Sequence, residues 1–375
     1  MYTEIDHRHM QAALALAEQA IGLSDPNPRV GCVLVNPAGQ VIGQGHTQAA
    51  GGPHAEVMAL RDTQAQGLST EGATAYVTLE PCAHHGRTPP CCDALIAARV
   101  GRVVVALGDP NPLVAGQGLA RLRAAGIATT LGVEATAAAE LNIGFLSRMV
   151  RQRPWVRLKI AGSLDGRTAL PDGRSQWITG AAARTDGHAW RKRAGAVLTG
   201  IGTVIDDNPR LDVRWVPTDH QPLRVVLDTH GRIPPEAKIM APPGDCWVMT
   251  GTSAALPLNA AVKPMPLDNA GRIDLKAVLA LLGQHGINEL HVEAGARLNG
   301  AFLQAGLVDE VLLYIAPKFI GEGRGLADLG VLPTLDHAPT LRYHAVSQVG
   351  DDLRLLLRPV DRLAPWWPPE IDTQA

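Results

Sequence analysis

Pro53-His54-Ala55-Glu56, followed by Pro81-Cys82-Ala83-His84-His85-Gly86-Arg87-Thr88-Pro89-Pro90-Cys91-Cys92, is the stretch from which the rest of the chain is read. One imidazole and two thiols, each at or just before a predicted helix start, make a three-ligand set of zinc type with a fourth position left for chemistry. Helix N-termini favour the thiolate, which is the form that binds metal. Outward from these residues the apolar pattern alternates. Residues 9–21 place Met10, Ala13, Leu14, Ala17 and Ile21 on one helical face, and runs 31–36 and 41–47 around Pro-Ala-Gly-Gln predict a hairpin. Helices are predicted over 54–63, 91–99, 118–125 and 135–150, and strands over 75–79, 102–107 and 127–133. Strands separated by helices predict a mixed or parallel sheet with helices on both faces.

The two motifs correspond to a zinc-deaminase signature, H-x-E followed by P-C-x-x-C. The first half is kept; the second is widened to eight residues between Cys82 and Cys91. Zinc lowers the pKa of bound water to about 7. Glu56, two residues from a ligand, is placed to take that proton and pass it to a departing amine. The competing reading is a closed structural site, with His84, His85 or Cys92 as fourth ligand. Cys92 otherwise reads as a core thiol on the helix face opposite Cys91.

The chain has 375 residues, 46% hydrophobic and 19% charged, enough apolar content for two domains with their own cores. A formal net charge of -2 provides no basic field for a polynucleotide backbone. No apolar run reaches the roughly 18 residues of a membrane span. The N-terminus, MYTEIDHRHM, lacks the basic and then apolar order of an export signal. Of five cysteines, Cys82, Cys91 and Cys92 crowd together, which reads as metal or redox chemistry rather than a disulfide frame. A cytoplasmic protein is expected, with no nucleic-acid or membrane partner.

Arg151-Gln152-Arg153-Pro154 ends the first series of elements. The expected domains are 1–150 and 154–364, with a loose tail at 365–375 containing Pro365, Pro368 and Pro369. In the second, strands are predicted over 155–161, 196–200, 223–228, 246–250, 289–293 and 310–316, helices over 181–193, 275–284 and 298–305, and a closing hairpin over 341–348 and 353–359. The halves share a fold class but no register of matching motifs.

With these residues in view, the chain resembles the bifunctional riboflavin-biosynthesis deaminase–reductases. The wide cysteine spacing filled by His-x-Gly-Arg-Thr-Pro-Pro, Asn27-Pro28-Arg29-Val30-Gly31-Cys32-Val33-Leu34-Val35, and Asp109-Pro-Asn-Pro carry the likeness in the first half. Lys159-Ile-Ala-Gly-Ser-Leu-Asp-Gly-Arg-Thr, Ser175-Gln-Trp177-Ile-Thr and Gly202-Thr-Val-Ile-Asp-Asp-Asn-Pro carry it in the second. The resemblance implies an α/β chain, with a cytidine-deaminase-like α/β/α domain and a dihydrofolate-reductase-like α/β domain. The first would replace the 2-amino group of a diaminopyrimidinone ribosylamine 5'-phosphate with oxygen; the second would use NADPH to reduce the ribosyl group to ribityl.

Carried over, His54, Cys82 and Cys91 hold Zn2+, Glu56 is catalytic, and Arg87 meets the substrate phosphate or is a solvated loop residue. Ala161, Trp177, Thr203, Asp207, Thr229 and Gly295-Ala296-Arg297-Leu298 are implied cofactor contacts, a glycine turn opening a helix being suited to a dinucleotide phosphate. Read without the family, Trp177 is a core or interface residue. Ser175, Arg191, Leu211, Arg214 and Glu293 are implied substrate contacts, the paired guanidinium forks suiting a phosphate. Asp212 departs from the family's usual Thr and places a negative charge beside them. Gly200-Ile-Gly202 is not a dinucleotide fingerprint, since no third glycine follows. A homo-oligomer, a dimer joined through the reductase half, is expected. Two other readings are a polynucleotide or free-base deaminase with an accessory second domain, and a zinc-stabilised binding module without catalysis.

Overall fold

A capping box sets the start of the chain in the computed structural model: Thr3 Oγ1 accepts the Asp6 N–H and the Asp6 carboxylate accepts the Thr3 N–H. Helix α1 (Glu4–Glu18) therefore begins ahead of the predicted 9–21. The structure describes residues 2–83, 89–111, 115–251 and 259–360; Arg87, His84, His85 and the expected tail at 365–375 lie outside these. The chain divides into two compact units, one ending at Arg151 and the other beginning at Gln152.

In the first unit α1 is followed by β1 (Gly31–Val35), β2 (Val41–His46), α2 (Ala55–Ala65), β3 (Thr74–Val77), α3 (Cys91–Ala97), β4 (Arg102–Val105), α4 (Gln117–Ala124), β5 (Ala128–Leu131), α5 (Ala135–Leu141) and α6 (Ile143–Arg151). The sheet order is β2-β1-β3-β4-β5, with β1 antiparallel to both neighbours and β3, β4 and β5 parallel. A Cβ on Gly43 would lie 2.3 Å from Ala59 O, and one on Gly45 2.6 Å from Ala55 O. Only glycine there lets α2 lie this close to β2, and the N-terminus of α2 carries the first half of the metal motif. Val33, Leu34, Val77, Val103 and Val104 fill the core, joined by Cys92. The single helix expected over 135–150 is two helices. Asn142 interrupts it, because its amide accepts the Arg29 N–H at 2.8 Å and donates to Arg29 O at 2.9 Å.

The second unit comprises β6 (Trp155–Ser163), β7 (Arg167–Ala169), α7 (Ala181–Arg193), β8 (Ala196–Gly200), α8 (Ile201–Asp207), β9 (Leu223–Leu227), β10 (Cys246–Thr250), β11 (Ala261–Pro264), α9 (Leu275–Gln284), β12 (Glu289–Glu293), α10 (Ala296–Gln304), β13 (Glu310–Ala316), β14 (Arg324–Gly325), β15 (Leu341–Val349) and β16 (Asp352–Pro359). Nine strands form one sheet, β11-β10-β9-β8-β12-β6-β13-β16-β15, parallel from β11 to β13 and closed by the expected antiparallel β15–β16 hairpin. The central strands are near-continuous Val, Leu and Ile, as a sheet covered on both faces requires. At the N-terminal ends of the strands, buried Arg157 bridges Glu289 at 2.8 Å and Glu310 at 2.6 Å, tying β6 to β12 and β13. The C-terminal ends are open to a cavity, where ligands bind in sheets of this type.

Candidate active sites

In the first unit, His54 is the N-cap of α2 and Cys91 the first residue of α3. Cys82 is drawn to the same helix start, its Sγ accepting the Cys91 N–H at 3.3 Å and its carbonyl the Cys92 N–H. The ligand atoms of His54, Cys82 and Cys91 all lie within 4.8 Å of one another. His54 Nδ1 is 3.7 Å from Cys82 Sγ and 3.3 Å from Cys91 Sγ. A tetrahedral zinc with ordinary Zn–N and Zn–S bonds has an N···S edge of about 3.5 Å, so the donor set fits that metal. Hydrogen bonding from Cys91, opposed by burial and helped by His54, pulls the Cys82 thiol down to about 4, which readies it as a ligand.

Glu56 lies in the first turn of α2 and is 3% exposed. Burial, then the Cys82 charge, push its carboxyl up, while His54 and a hydrogen bond with Cys91 pull the other way. A carboxyl in this state, beside three metal ligands, is suited to exchanging a proton. Cys92 is fully buried in the core and points away from this role. Arg87 lies outside the described residues.

The chain's sequence alone did not single out Glu80. Its buried carboxylate accepts backbone N–H groups from Asp109 at 3.3 Å, Gly116 at 3.0 Å and Leu119 at 3.1 Å. Two residues from Cys82, it ties Asp109, Gly116 and Leu119 to the segment that follows β3. Burial raises Asp109 on that loop to about 6. Replacing Glu80 with Ala orphans these donors at about 1 kcal/mol or more each. The expected result is roughly 100-fold faster amide exchange at Leu119, read by hydrogen-exchange NMR.

In the second unit every implied reductase residue lines one cavity of about 2270 Å3: Ala161, Ser175, Trp177, Arg191, Thr203, Asp207, Leu211, Arg214, Thr229, Glu293 and Gly295 to Leu298. Trp177 is 59% exposed, which removes it from the core. Glu293, at the end of β12, takes a two-point ion pair from Arg191, through Nε and through Nη2 at 3.0 Å, and pairs with Lys159 at 3.3 Å. Against the cost of burial, Arg191 and Lys159 hold the Glu293 carboxyl well below the usual range. Arg191 Nη1 donates to Asp212 O at 3.0 Å. The charge of Asp212 is met by Arg214 at 2.6 Å and Arg210 at 3.0 Å, so it does not face the cavity unpaired. Leu211, between them, holds a φ of 51°, a strained conformation for leucine that the surrounding structure must maintain. Ser175 Oγ donates to Asp207 Oδ1 at 3.3 Å, joining two residues of the cavity wall.

His188, on α7, is 3% exposed and accepts the Arg214 N–H at Nδ1, 3.2 Å. Burial, then Arg191 and Arg214, lower its pKa to about 4, with Glu293 and Asp212 opposing. The unfolded chain would take up this proton near 6.5, the folded chain only near 4, so the unfolded state binds more protons between them. Stability is therefore expected to fall as pH drops from about 6.5 towards 4. An imidazole NMR titration midpoint near 6.5 would contradict this.

A zinc-binding pyrimidine-deaminase unit and an α/β reductase unit are thus the classes that fold and sites define. Residues 3–107 match the profile of the cytidine and deoxycytidylate deaminase zinc-binding region, and 154–355 that of the RibD C-terminal domain. The riboflavin biosynthesis protein RibD of Escherichia coli is 46% identical over 94% of this chain and 99% of its own length; that of Aquifex aeolicus is 41% identical over 96% and 99%. The RibD structure of Acinetobacter baumannii superposes with a TM-score of 0.86 at 45% identity, covering 95% of this chain and 99% of that one. A Thermotoga maritima diaminohydroxyphosphoribosylaminopyrimidine deaminase/5-amino-6-(5-phosphoribosylamino)uracil reductase superposes at 0.87 with 32% identity and the same coverage. The chain belongs to the RibD family, the bifunctional deaminase–reductases of riboflavin biosynthesis.

Proposed function

We propose that residues 1–150 deaminate 2,5-diamino-6-(5-phosphoribosylamino)pyrimidin-4-one and that residues 154–364 then reduce the ribosyl group of the uracil product to ribityl phosphate. Zinc and NADPH are the cofactors. The observation carrying this reading is the convergence of His54 Nδ1 and the sulfurs of Cys82 and Cys91 beside the buried carboxyl of Glu56.

When bound, zinc supplies the positive centre that makes water nucleophilic near neutrality. Glu56 accepts the proton that water loses and returns it to the leaving nitrogen, so that oxygen replaces the 2-amino group and ammonia departs. In the second unit Ser175, Arg191, Leu211, Arg214 and Glu293 form the substrate wall, with Arg191 and Lys159 fixing the Glu293 carboxylate. Ala161, Trp177, Thr203, Asp207, Thr229, Gly295, Ala296, Arg297 and Leu298 would hold NADPH, which supplies the hydride. A pairing of metal analysis with ammonia release tests the first half: equimolar zinc and zinc-dependent ammonia are expected, and ammonia from metal-free protein would refute it.

The protein is also proposed to be a cytoplasmic homo-oligomer, a dimer joined through the reductase unit. Edge strand β15 carries exposed Tyr343 and Val346, and no helix among the described residues is long and apolar enough to cross a membrane. Light scattering at about twice 39.7 kDa is expected; a monomer would refute the dimer.

A further inference from the structure

The arginines assigned to the substrate phosphate are already engaged. Arg191 has given Nε and Nη2 to Glu293 and Nη1 to Asp212 O, and Arg214 is paired with Asp212. One turn and two turns before Arg191 on the same face of α7 stand His188 and Arg184, and both line the cavity. Arg184 has no carboxylate partner among the described residues. Its Nη1 donates to Thr179 O at 2.6 Å, its buried Nε has no hydrogen-bond partner, and its guanidinium lies 4.5 Å from the Trp177 ring and 5.5 Å from the Trp215 ring. Two indoles thus hold in place a charge that no acid among the described residues neutralises. His188 packs against the Trp215 ring at a centroid distance of 4.7 Å, tilted by 41°, and because its Nδ1 accepts the Arg214 N–H, the proton of the neutral ring is on Nε2. No described residue accepts that N–H.

We infer that Arg184 and His188 are substrate-binding residues: the guanidinium charge of Arg184 and the Nε2–H of His188 grip the 5'-phosphate of the pyrimidine substrate and set the preference for phosphorylated over dephosphorylated substrate. The inference rests on the reductase reading above. A phosphate suits this place: a fixed guanidinium supplies charge and a directed N–H, and a neutral imidazole adds a donor without requiring a proton.

The test compares kcat/KM for NADPH oxidation with the deaminated ribosylaminouracil phosphate and with its dephosphorylated counterpart. Arg184→Gln and His188→Phe should each reduce the ratio of the two by roughly 10- to 100-fold, the scale of a charge-assisted hydrogen bond. Arg184→Lys and His188→Gln, which keep a charge and a donor, should restore part of it. NADPH affinity, followed by fluorescence, reports whether the cavity survives each change; if Arg184→Gln does not fold, Arg184→Lys and the His188 pair carry the comparison. An unchanged ratio, or equal losses for both substrates, would overturn the inference while leaving the reductase reading intact. Wild-type protein that oxidises NADPH with neither substrate would overturn both.

Discussion

Glu56→Gln is expected to lower the rate of ammonia release by about 10^3-fold, within the range for loss of a positioned acid–base group, with zinc still bound. Gln is nearly isosteric and donates where the carboxylate must accept, so the change removes proton exchange without disturbing the ligands. Glu56 is buried in the first turn of α2, and His54 caps the same helix, so their relative position comes from backbone that the substitution does not touch. NADPH oxidation with the already deaminated substrate should persist. Loss of zinc together with activity would make Glu56 a structural residue, and unchanged turnover would remove it from the chemistry.

Glu293→Gln should have the opposite profile. The carboxylate is buried and compensates Arg191 and Lys159 together, so its neutralisation leaves two cations in the cavity wall. Breaking a buried pair of this kind costs about 3–5 kcal/mol. Reductase kcat/KM is expected to fall at least 100-fold, while ammonia release from the diamino substrate continues. Parallel ammonia and NADPH assays on one preparation check this; retention of full reductase activity would show that Arg191 is held in some other way.

The zinc triad was legible from the sequence because it depends on spacing and helix starts, both local properties. His54 and Cys91 occupy the expected helix N-termini. The route by which Cys82 joins them was not legible, since it depends on a backbone N–H nine residues away. The break at Asn142 was equally hidden: residues 135–150 have helical periodicity throughout, and the competing hydrogen bonds come from Arg29, 113 residues distant. Asp212 read as a negative charge beside the phosphate arginines; that Arg210 and Arg214, each two residues away, turn back onto its two oxygens depends on the local backbone conformation, which residue types alone do not give. Arg184 and His188 share the helical spacing of Arg191, yet nothing local tells which face of α7 meets the cavity. Thr3 and Asp6 show the reverse case, a local capping signal passed over because the apolar stripe begins later.

The most direct measurement follows ammonia and NADPH together in one protein sample before and after removal of zinc by a chelator. The account predicts that zinc-replete protein releases one ammonia for each NADPH consumed from the diamino substrate. After chelation, ammonia release should cease, whereas NADPH oxidation with the deaminated substrate continues, and added zinc should restore the first activity. Ammonia release that survives complete loss of the metal would contradict it.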